Sequence, residues 1–208
     1  MFAQTISDPF RSKDLRSASD CNGRQPAFHH LVQRIWTIGH STRKIDDFVS
    51  ALEAHGIKLI ADVRLLPGSK RYPQFNQDAL TKSLSERRIN YEHFPELGGR
   101  RKPKPNSRNS IWRNESFRGY ADHMETKEFR KGIDRLSDLA RKIGPTAIMC
   151  AEAVWWRCHR ALISDFLKAR GIEIVHIMDA KKTEPHPFTS AAKIVNDVLS
   201  YADDELLL

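Results

Sequence analysis

The sequence predicts an α/β fold: about five mostly parallel strands in one sheet, with helices on both faces. Short apolar runs recur along the chain, and the segments between them carry apolar residues at helical spacing. Glycine, proline or asparagine stands at most of the boundaries between these segments. We therefore expect a single Rossmann-like domain over residues 34–208.

Three strands and two helices are predicted in the first half of this domain. Residues 35–38 and 59–63 are apolar runs typical of buried strands, and residues 90–94 are a third candidate strand. A helix over residues 45–56 has two aspartates in its first turn and a glycine at its end. A second helix, over residues 76–88, begins with an asparagine that can cap it.

The second half continues the alternation after a long loop over residues 95–114, where glycine and proline are frequent. A helix over residues 126–144 has threonine at its start and glycine at its end, and a strand over residues 146–150 follows it. The next predictions are a helix over residues 158–170 and a strand over residues 172–178. A last amphipathic helix is expected from four apolar residues: Ala191, Ile194, Val195 and Leu199.

Composition separates the N-terminal region from the rest and limits the location of the protein. Residues 1–33 are rich in serine, aspartate, arginine and glutamine without apolar periodicity, which predicts a mostly disordered extension. The three cysteines, an odd number in 208 residues, favour reduced thiols and hence a cytoplasmic location. No apolar run approaches the roughly 20 residues that span a bilayer, so no membrane partner is expected.

The chain is basic, with 34 lysines and arginines against 26 aspartates and glutamates. This balance favours an anionic partner, either a small molecule or nucleic acid. Part of the excess lies in the loop from Leu97 to Asn114, which contains no acidic residue. The six cations of this loop are Arg100, Arg101, Lys102, Lys104, Arg108 and Arg113.

Polar residues follow three of the predicted strands directly, at the point where each strand ends. The carboxyl ends of parallel strands meet at one edge of a sheet, where α/β proteins bind their ligands. Arg64 can grip a phosphate or carboxylate there, although it can also pair with Asp62. Ser41 can equally cap the next helix. The candidate groups at this edge are His40, Ser41, Arg64, Cys150 and Glu152.

The segment from Cys150 to Arg160 carries the most reactive groups. Cys158 lies where a helix is predicted to begin, and a thiol beside Arg160 or a protonated His159 has a stabilised thiolate and becomes nucleophilic. Alternatively, both cysteines are small apolar residues of the core. That alternative suits Cys150, which continues an apolar run, better than it suits Cys158.

No metal ion or cofactor is predicted. The Cys150-Ala-Glu152 segment is similar to part of the zinc deaminase motif, but the Pro-Cys-x-x-Cys pair of those enzymes is absent. Adjacent Cys158 and His159 on a helix would point about 100° apart, which is unfavourable for one ion. The remaining metal alternative is a looser site formed by Cys150, Cys158, His159 and a remote His40 or His176.

Arg118 and Tyr120 follow the basic loop and are expected to reach the same edge as substrate-binding residues. Alternatively, Tyr120 lies in the core at the start of a helix. Trp112 and Phe117 offer stacking surfaces of the kind that single-stranded nucleic acid binds.

The combination of these motifs resembles the family catalogued as domain of unknown function 488 (DUF 488). The matching residues are Thr37-Ile-Gly-His-Ser41, Asp62-Val-Arg64, Leu97-Gly-Gly99, Phe117-Arg-Gly-Tyr-Ala-Asp122, Met149-Cys-Ala-Glu152, Cys158-His-Arg160, Val175-His-Ile177 and His186-Pro187. The resemblance extends from about Arg34 to the C-terminus. It implies a compact α/β domain whose polar segments form one site, and it implies no particular reaction.

The functional prediction is a small enzyme that acts on an anionic substrate, such as a nucleotide or another phosphate-bearing molecule. Its groups divide into two roles. The predicted catalytic residues are Cys158, Cys150, Glu152, His159 and His40, and the predicted substrate-binding residues are Ser41, Arg64, Arg118, Tyr120 and Arg160. The alternative is a non-enzymatic module that binds nucleic acid or nucleotides through the 97–114 loop. A structural or interaction protein is a third interpretation.

Overall fold

A computed structural model of the protein describes residues 34–203. The disordered extension that the sequence predicts over residues 1–33 lies outside the described residues. In chain order the strands and helices are β1 (Arg34–Gly39), α1 (Ile45–Ala54), β2 (Leu59–Asp62), α2 (Gln77–Ser85), β3 (Asn90–His93), α3 (Glu115–Met124), α4 (Lys127–Ile143), β4 (Thr146–Cys150), α5 (Arg160–Lys168), β5 (Glu173–Ile177), β6 (Thr183–Pro185), β7 (Lys193–Val195) and β8 (Val198–Ser200).

The central sheet has the strand order β3-β2-β4-β1-β5-β6, in which β1 to β5 are parallel and β6 is antiparallel to β5. This mostly parallel sheet with helices on both faces confirms the predicted Rossmann-like α/β architecture. Gly39 pairs with Cys150, and Asp62 pairs with Met149. The carboxyl ends of β1, β2 and β4 therefore lie side by side.

Two apolar layers cover the two faces of the sheet. In one layer, α1 and α2 contribute Phe48 and Leu84. In the other, α4 contributes Phe129, and α3 and α5 pack beside it. Along β4, Met149 belongs to the first layer and Ile148 to the second, since successive side chains of a strand point to opposite faces. Burial on both faces explains why the sequences of β2 and β4 are mostly apolar.

Three of the predicted helix boundaries follow the capping residues that the sequence provides, whereas Asn76 precedes α2 without a side-chain capping bond and accepts a hydrogen bond from Ser69 instead. Thr126 caps α4, because its side chain accepts a hydrogen bond from the backbone N–H of Phe129 at 3.2 Å. Gly144 follows α4 with φ of 109°, and Gly56 follows α1 with φ of 65°. Both angles lie in the region that glycine tolerates best, so the two predicted helix ends are confirmed.

The predicted C-terminal helix is wrong. The chain forms the antiparallel pair β7 and β8 there, joined by Asn196 and Asp197 with φ of 49° and 62°. Asparagine and aspartate adopt positive φ more readily than other non-glycine residues, and two such residues suit a tight hairpin. The turn chemistry therefore overrides the helical spacing of the apolar residues.

Two further differences concern α3 and α5. For α3 the sequence offers only the alternative that a helix starts near Tyr120; the helix begins earlier, at Glu115, and Asn114 caps it by accepting hydrogen bonds from Ser116 and Phe117. The predicted start of α5 at about residue 158 is too early, because Cys158 is extended, with φ of −129° and ψ of 146°, and α5 begins at Arg160. None of the helices that the structure describes is long and apolar enough to cross a membrane.

Candidate functional site

A cavity of about 690 Å³ lies at the carboxyl ends of β1, β2 and β4. Most of the predicted site residues line it, as expected for a parallel sheet. The seven predicted residues on its wall are His40, Ser41, Arg64, Cys150, Glu152, Cys158 and His159.

Three of these residues, whose side chains are of the types that bind metal ions, lie close together. We call them the open cluster: Cys150, Cys158 and His159. One donor atom from each residue lies within 4.8 Å of the others. The Sγ atom of Cys158 is 3.7 Å from Nδ1 of His159. Cys150 ends β4, and the other two lie between a short 3-10 turn and α5. The parallel sheet and the start of α5 thus bring together residues that are eight or nine positions apart.

The imidazole of His159 has one defined orientation. Its Nε2 atom lies 3.0 Å from the carbonyl oxygen of Val63. Because a carbonyl oxygen only accepts hydrogen bonds, Nε2 must donate, and Nδ1 of the neutral ring carries the lone pair. That lone pair is therefore directed toward the thiol side of the ring.

Arg160 supports the thiols from inside the protein. Its Nε donates to Sγ of Cys158 at 3.4 Å, and its Nη2 donates to the carbonyl oxygen of Glu152 at 2.6 Å. Burial alone raises the pKa of Cys158, but the hydrogen bond from Cys150 and the charges of Arg160 and His159 lower it well below its ordinary value. The hydrogen bond to Cys158, followed by burial, raises the pKa of Cys150.

Arg64 makes the ion pair that the sequence offered as an alternative to ligand binding. Its Nε and Nη2 atoms contact the buried Asp62 carboxylate, at 2.6 Å for the shortest contact. Its Nη1 atom lies 3.3 Å from Nε2 of His40. Tyr91 donates a further hydrogen bond to Asp62 at 2.7 Å. The Arg64 side chain is thus held at the cavity wall with its charge largely balanced.

His40 is a neutral imidazole with both nitrogens engaged. Nδ1 contacts the carbonyl oxygen of Ser41 at 3.1 Å and so donates, which leaves Nε2 to accept from Arg64. Burial, followed by the charge of Arg64, lowers the pKa of His40 to about 4. The ring stacks on Phe75 with centroids 4.2 Å apart. These contacts are typical of a positioning residue for Arg64.

Arg118, Tyr120 and Arg160 lie outside the set of residues that line the cavity. Arg118 pairs with Glu115 within α3 at 3.5 Å. Tyr120 lies in the core, where its hydroxyl donates to the carbonyl oxygen of Leu97 at 2.8 Å. The centroid of the Tyr120 ring lies 4.9 Å from that of the His159 ring, so Tyr120 helps to hold His159 in place.

The cavity wall also carries residues that sequence reasoning did not assign to the site. Arg157 and Arg100 are exposed there, and neither belongs to an ion pair of the described residues. Glu152 is exposed too, and its carboxylate accepts a hydrogen bond from the backbone of Ala153. Arg157 lies in the loop that follows β4, as Glu152 does. Its position after a predicted strand was therefore a signal that it could reach the site.

Two glycines make room for the site. A Cβ atom on Gly39 would lie 1.9 Å from the carbonyl oxygen of Glu152, which no backbone tolerates. A Cβ atom on Gly99 would lie 2.8 Å from Nδ1 of His159. Glycine at these positions therefore lets the 150–158 loop and the His159 ring approach their neighbours.

A second polar group lies in the core, away from the cavity wall, and we call it the closed cluster: Thr37, His176, His186 and Asp165. His176 bonds to Thr37 at 2.7 Å and to His186 at 2.9 Å. His186 in turn contacts Asp165 at 3.0 Å. Trp155 stacks on His176 with ring centroids 4.4 Å apart. All four members are 2% exposed or less.

The basic loop is only partly available to a ligand. Arg101 pairs with Glu128 at 3.2 Å, and Lys104 pairs with Glu125 at 3.0 Å. Arg100 lines the cavity instead. The loop cations outside any ion pair of the described residues and off the cavity wall are Lys102, Arg108 and Arg113.

The fold and this cavity define an α/β protein with a thiol and imidazole cluster at the carboxyl edge of its parallel strands. The sequence profile of the family described as "Domain of unknown function DUF488" matches residues 44–167, more than half of the chain. The chain belongs to this family, as its motifs predicted. Neither the search of curated proteins nor the search of solved structures returned a match.

Proposed function

We propose that the protein is a small enzyme that acts on an anionic small molecule, such as a nucleotide or another phosphate-bearing compound. One observation carries this proposal: the open cluster lines a cavity of about 690 Å³ whose wall also carries arginines without an ion-pair partner in the described residues. A cavity of this size with a few convergent polar groups is typical of a small-molecule site.

The charges on the cavity wall support an anionic substrate. Asp62 balances Arg64, whereas Glu152 is the single carboxylate on the wall beside Arg100 and Arg157, which have no ion-pair partner among the described residues. The wall therefore carries an excess of positive charge. Guanidinium groups bind phosphate and carboxylate through two parallel hydrogen bonds, which gives both affinity and orientation.

The open cluster supplies the reactive group in this proposal. In the metal-free protein, Cys158 is the nucleophile, because Arg160 and His159 contact its sulfur atom. His159 then accepts the thiol proton through Nδ1, and Glu152 at the rim is the second acid or base. His40 contributes by positioning Arg64, since both of its nitrogens are engaged.

Binding of pyrophosphate and of a panel of nucleotides, measured by isothermal titration calorimetry, tests the anion site. We expect at least one anion to bind, and Arg157→Gln to weaken it about tenfold or more, as expected for a lost charge-assisted contact. Lys102→Gln is the matched control, because it removes from the neighbouring loop a cation that has no ion pair within residues 34–203. Equal losses in both variants, or no anion binding at all, would overturn the proposal.

A nucleic-acid module is the second candidate, favoured by the three loop cations that have no ion pair in the described part of the chain and by Trp112, which stacks on Phe117 with ring centroids 4.9 Å apart. It predicts the opposite order, in which Lys102→Gln weakens binding more than Arg157→Gln does. It also predicts that affinity for single strands grows with length and falls steeply with salt, with a slope of about −0.7 per phosphate contact. If the cavity binds a single nucleotide instead, the affinity for single strands does not grow with their length.

A further inference from the structure

The spacing of the open cluster matches what a tetrahedral metal ion requires. With zinc bonds of about 2.3 Å to sulfur and 2.0 Å to nitrogen, a tetrahedral ion holds sulfur and nitrogen ligands about 3.5 Å apart. Sγ of Cys158 and Nδ1 of His159 are 3.7 Å apart, and all three donor atoms lie within 4.8 Å of one another. Two thiolates and one imidazole are donors that zinc and related ions prefer.

The surroundings of the donors also resemble those of metal ligands. Metal-bound histidines usually donate their other N–H to a carbonyl or carboxylate, and Nε2 of His159 donates to Val63 in this way. Arg160 hydrogen-bonds Sγ of Cys158 and adds a positive charge beside the two sulfur atoms. A side chain at position 99 would crowd Nδ1 of His159, and glycine avoids this contact.

A separation of about 100° between the side chains of Cys158 and His159 would apply if both residues belonged to a helix. Cys158 is extended, and α5 begins only after His159, so the expected separation of about 100° does not apply. The side chains of these neighbours therefore converge, as their 3.7 Å contact demonstrates.

We propose that Cys150, Cys158 and His159 bind one zinc ion or a similar thiophilic divalent ion. Because all three donors line the cavity, the fourth position of the ion faces the cavity and is open to water or to an oxygen of the substrate. Three protein ligands with one open position are the arrangement of catalytic rather than structural zinc sites. The ion therefore lies where the anionic substrate binds.

This inference deepens the proposed function and rests on it only for the nature of the substrate. With the ion bound, Cys158 is a ligand, and the nucleophile is water or a substrate group at the open position instead of the thiolate. Metal binding is measured without any substrate, so its failure and the failure of anion binding are separate results.

The test uses the full chain carrying Cys21→Ser, which leaves only the two cluster cysteines. The metal-free protein is titrated with zinc against a chromogenic chelator, and with cobalt(II) followed by absorption. We expect one ion per chain, with the near-ultraviolet thiolate charge-transfer bands and the intense visible bands of a tetrahedral cobalt site. Cys150→Ser, Cys158→Ser and His159→Gln should each lower zinc affinity by about 100-fold or more, beyond the usual effect of outer contacts.

His55→Gln is the matched control for the loss of an imidazole, because His55 is partly exposed and contacts only the carbonyl oxygen of Asp179 in the described part of the chain. Thermal unfolding of each metal-free variant identifies any that does not fold. In a folded Cys150→Ser protein at saturating cobalt, the charge-transfer absorption should fall to about half, since one of two thiolates is lost. Unchanged zinc affinity in the folded cysteine variants, or cobalt spectra without charge-transfer bands, would overturn the inference.

Discussion

The open cluster and the closed cluster both combine histidine with other polar groups, yet they differ in how these groups are satisfied. In the closed cluster each group pairs with another protein group, from Thr37 through the two histidines to Asp165. Thr189 and Tyr201 take the remaining oxygen of Asp165. In the open cluster the donors converge beside a cavity. Burial of polar residues therefore does not by itself distinguish a site from a structural network, and the difference between these two clusters is that only the open cluster lines the cavity.

This difference implies opposite effects of mutation. A change in the closed cluster leaves buried partners without hydrogen bonds and should reduce stability. A change of an exposed side chain on the cavity wall leaves its neighbours in contact with water. It should therefore alter ligand binding with little cost in stability.

The largest expected effect is the loss of Asp165. Its carboxylate accepts from His186, Thr189 and Tyr201 at zero solvent exposure. Asp165→Ala leaves these donors unpaired and should lower the free energy of unfolding by about 3 to 5 kcal/mol, the usual cost of breaking a buried charged network. Urea unfolding measures this. Glu152→Ala, at the exposed rim, is the control and should change stability by about 0.5 kcal/mol or less.

The closed cluster should also make stability depend on pH through His176. Burial first, and then the charges of His186 and Arg160, lower the pKa of His176 from 6.5 to about 3, while Asp165 lies beyond His186. Between these values only the unfolded chain binds the proton. The free energy of unfolding should therefore fall as the pH drops below about 6.5, by up to about 1.4 kcal/mol per pH unit.

Urea unfolding of wild type and of His176→Gln between pH 7 and pH 4 checks this dependence. The variant is less stable at neutral pH, but its stability should decline less steeply as the pH falls. It has no imidazole at position 176 that binds a proton only in the unfolded chain. His55→Gln is the control with an imidazole on the surface. A slope in the His176 variant as steep as in the wild type would show that this histidine is not the cause.

Gly39 connects the sheet to the open cluster, and its substitution should have an intermediate effect. A Cβ atom at this position would meet the carbonyl oxygen of Glu152 at 1.9 Å, so Gly39→Ala must displace the loop that Arg160 holds. We expect a loss of about 1 to 3 kcal/mol, as for overpacking elsewhere, together with weaker pyrophosphate binding. Gly68→Ala is the control, because a Cβ atom there meets nothing within 4 Å.

The smallest expected change in stability belongs to Arg157→Gln. Arg157 is exposed and has no ion pair in the described part of the chain, so the free energy of unfolding should stay within about 0.5 kcal/mol of wild type. Anion affinity should fall in the same variant. A stability loss of several kcal/mol in urea would mean that this arginine belongs to the structure rather than to the site.

The sequence predicted the sheet and much of the cavity wall, because both depend on local signals. The runs that form β2 and β4 are short and apolar, and the polar residues after them lie at one edge by the geometry of parallel strands. No further information was needed to bring Arg64 and Cys150 to the same cavity.

The remaining features depend on contacts between distant residues or on competing local signals. The Asn196-Asp197 pair favours a hairpin, whereas the spacing of the apolar residues around it favours a helix. The sequence pattern alone does not show which of these two structures is more stable. Tyr120 lies in the core, which is the alternative that the sequence left open, because its hydrogen bond to Leu97 and its contact with the His159 ring join residues far apart in the chain. The convergence of Cys158 and His159 depends on where α5 begins, and helix boundaries are the least certain part of a pattern.

We infer that the open cluster faces a ligand cavity in the folded protein. Peptide mass spectrometry of alkylated protein measures the reaction rates of Cys150 and Cys158 directly. We predict that at least one of them reacts in the folded state, at a rate proportional to reagent concentration, and that pyrophosphate slows the reaction. If both react only at the rate of global unfolding, independent of reagent concentration and of pyrophosphate, the cysteines are core residues and the claim is wrong.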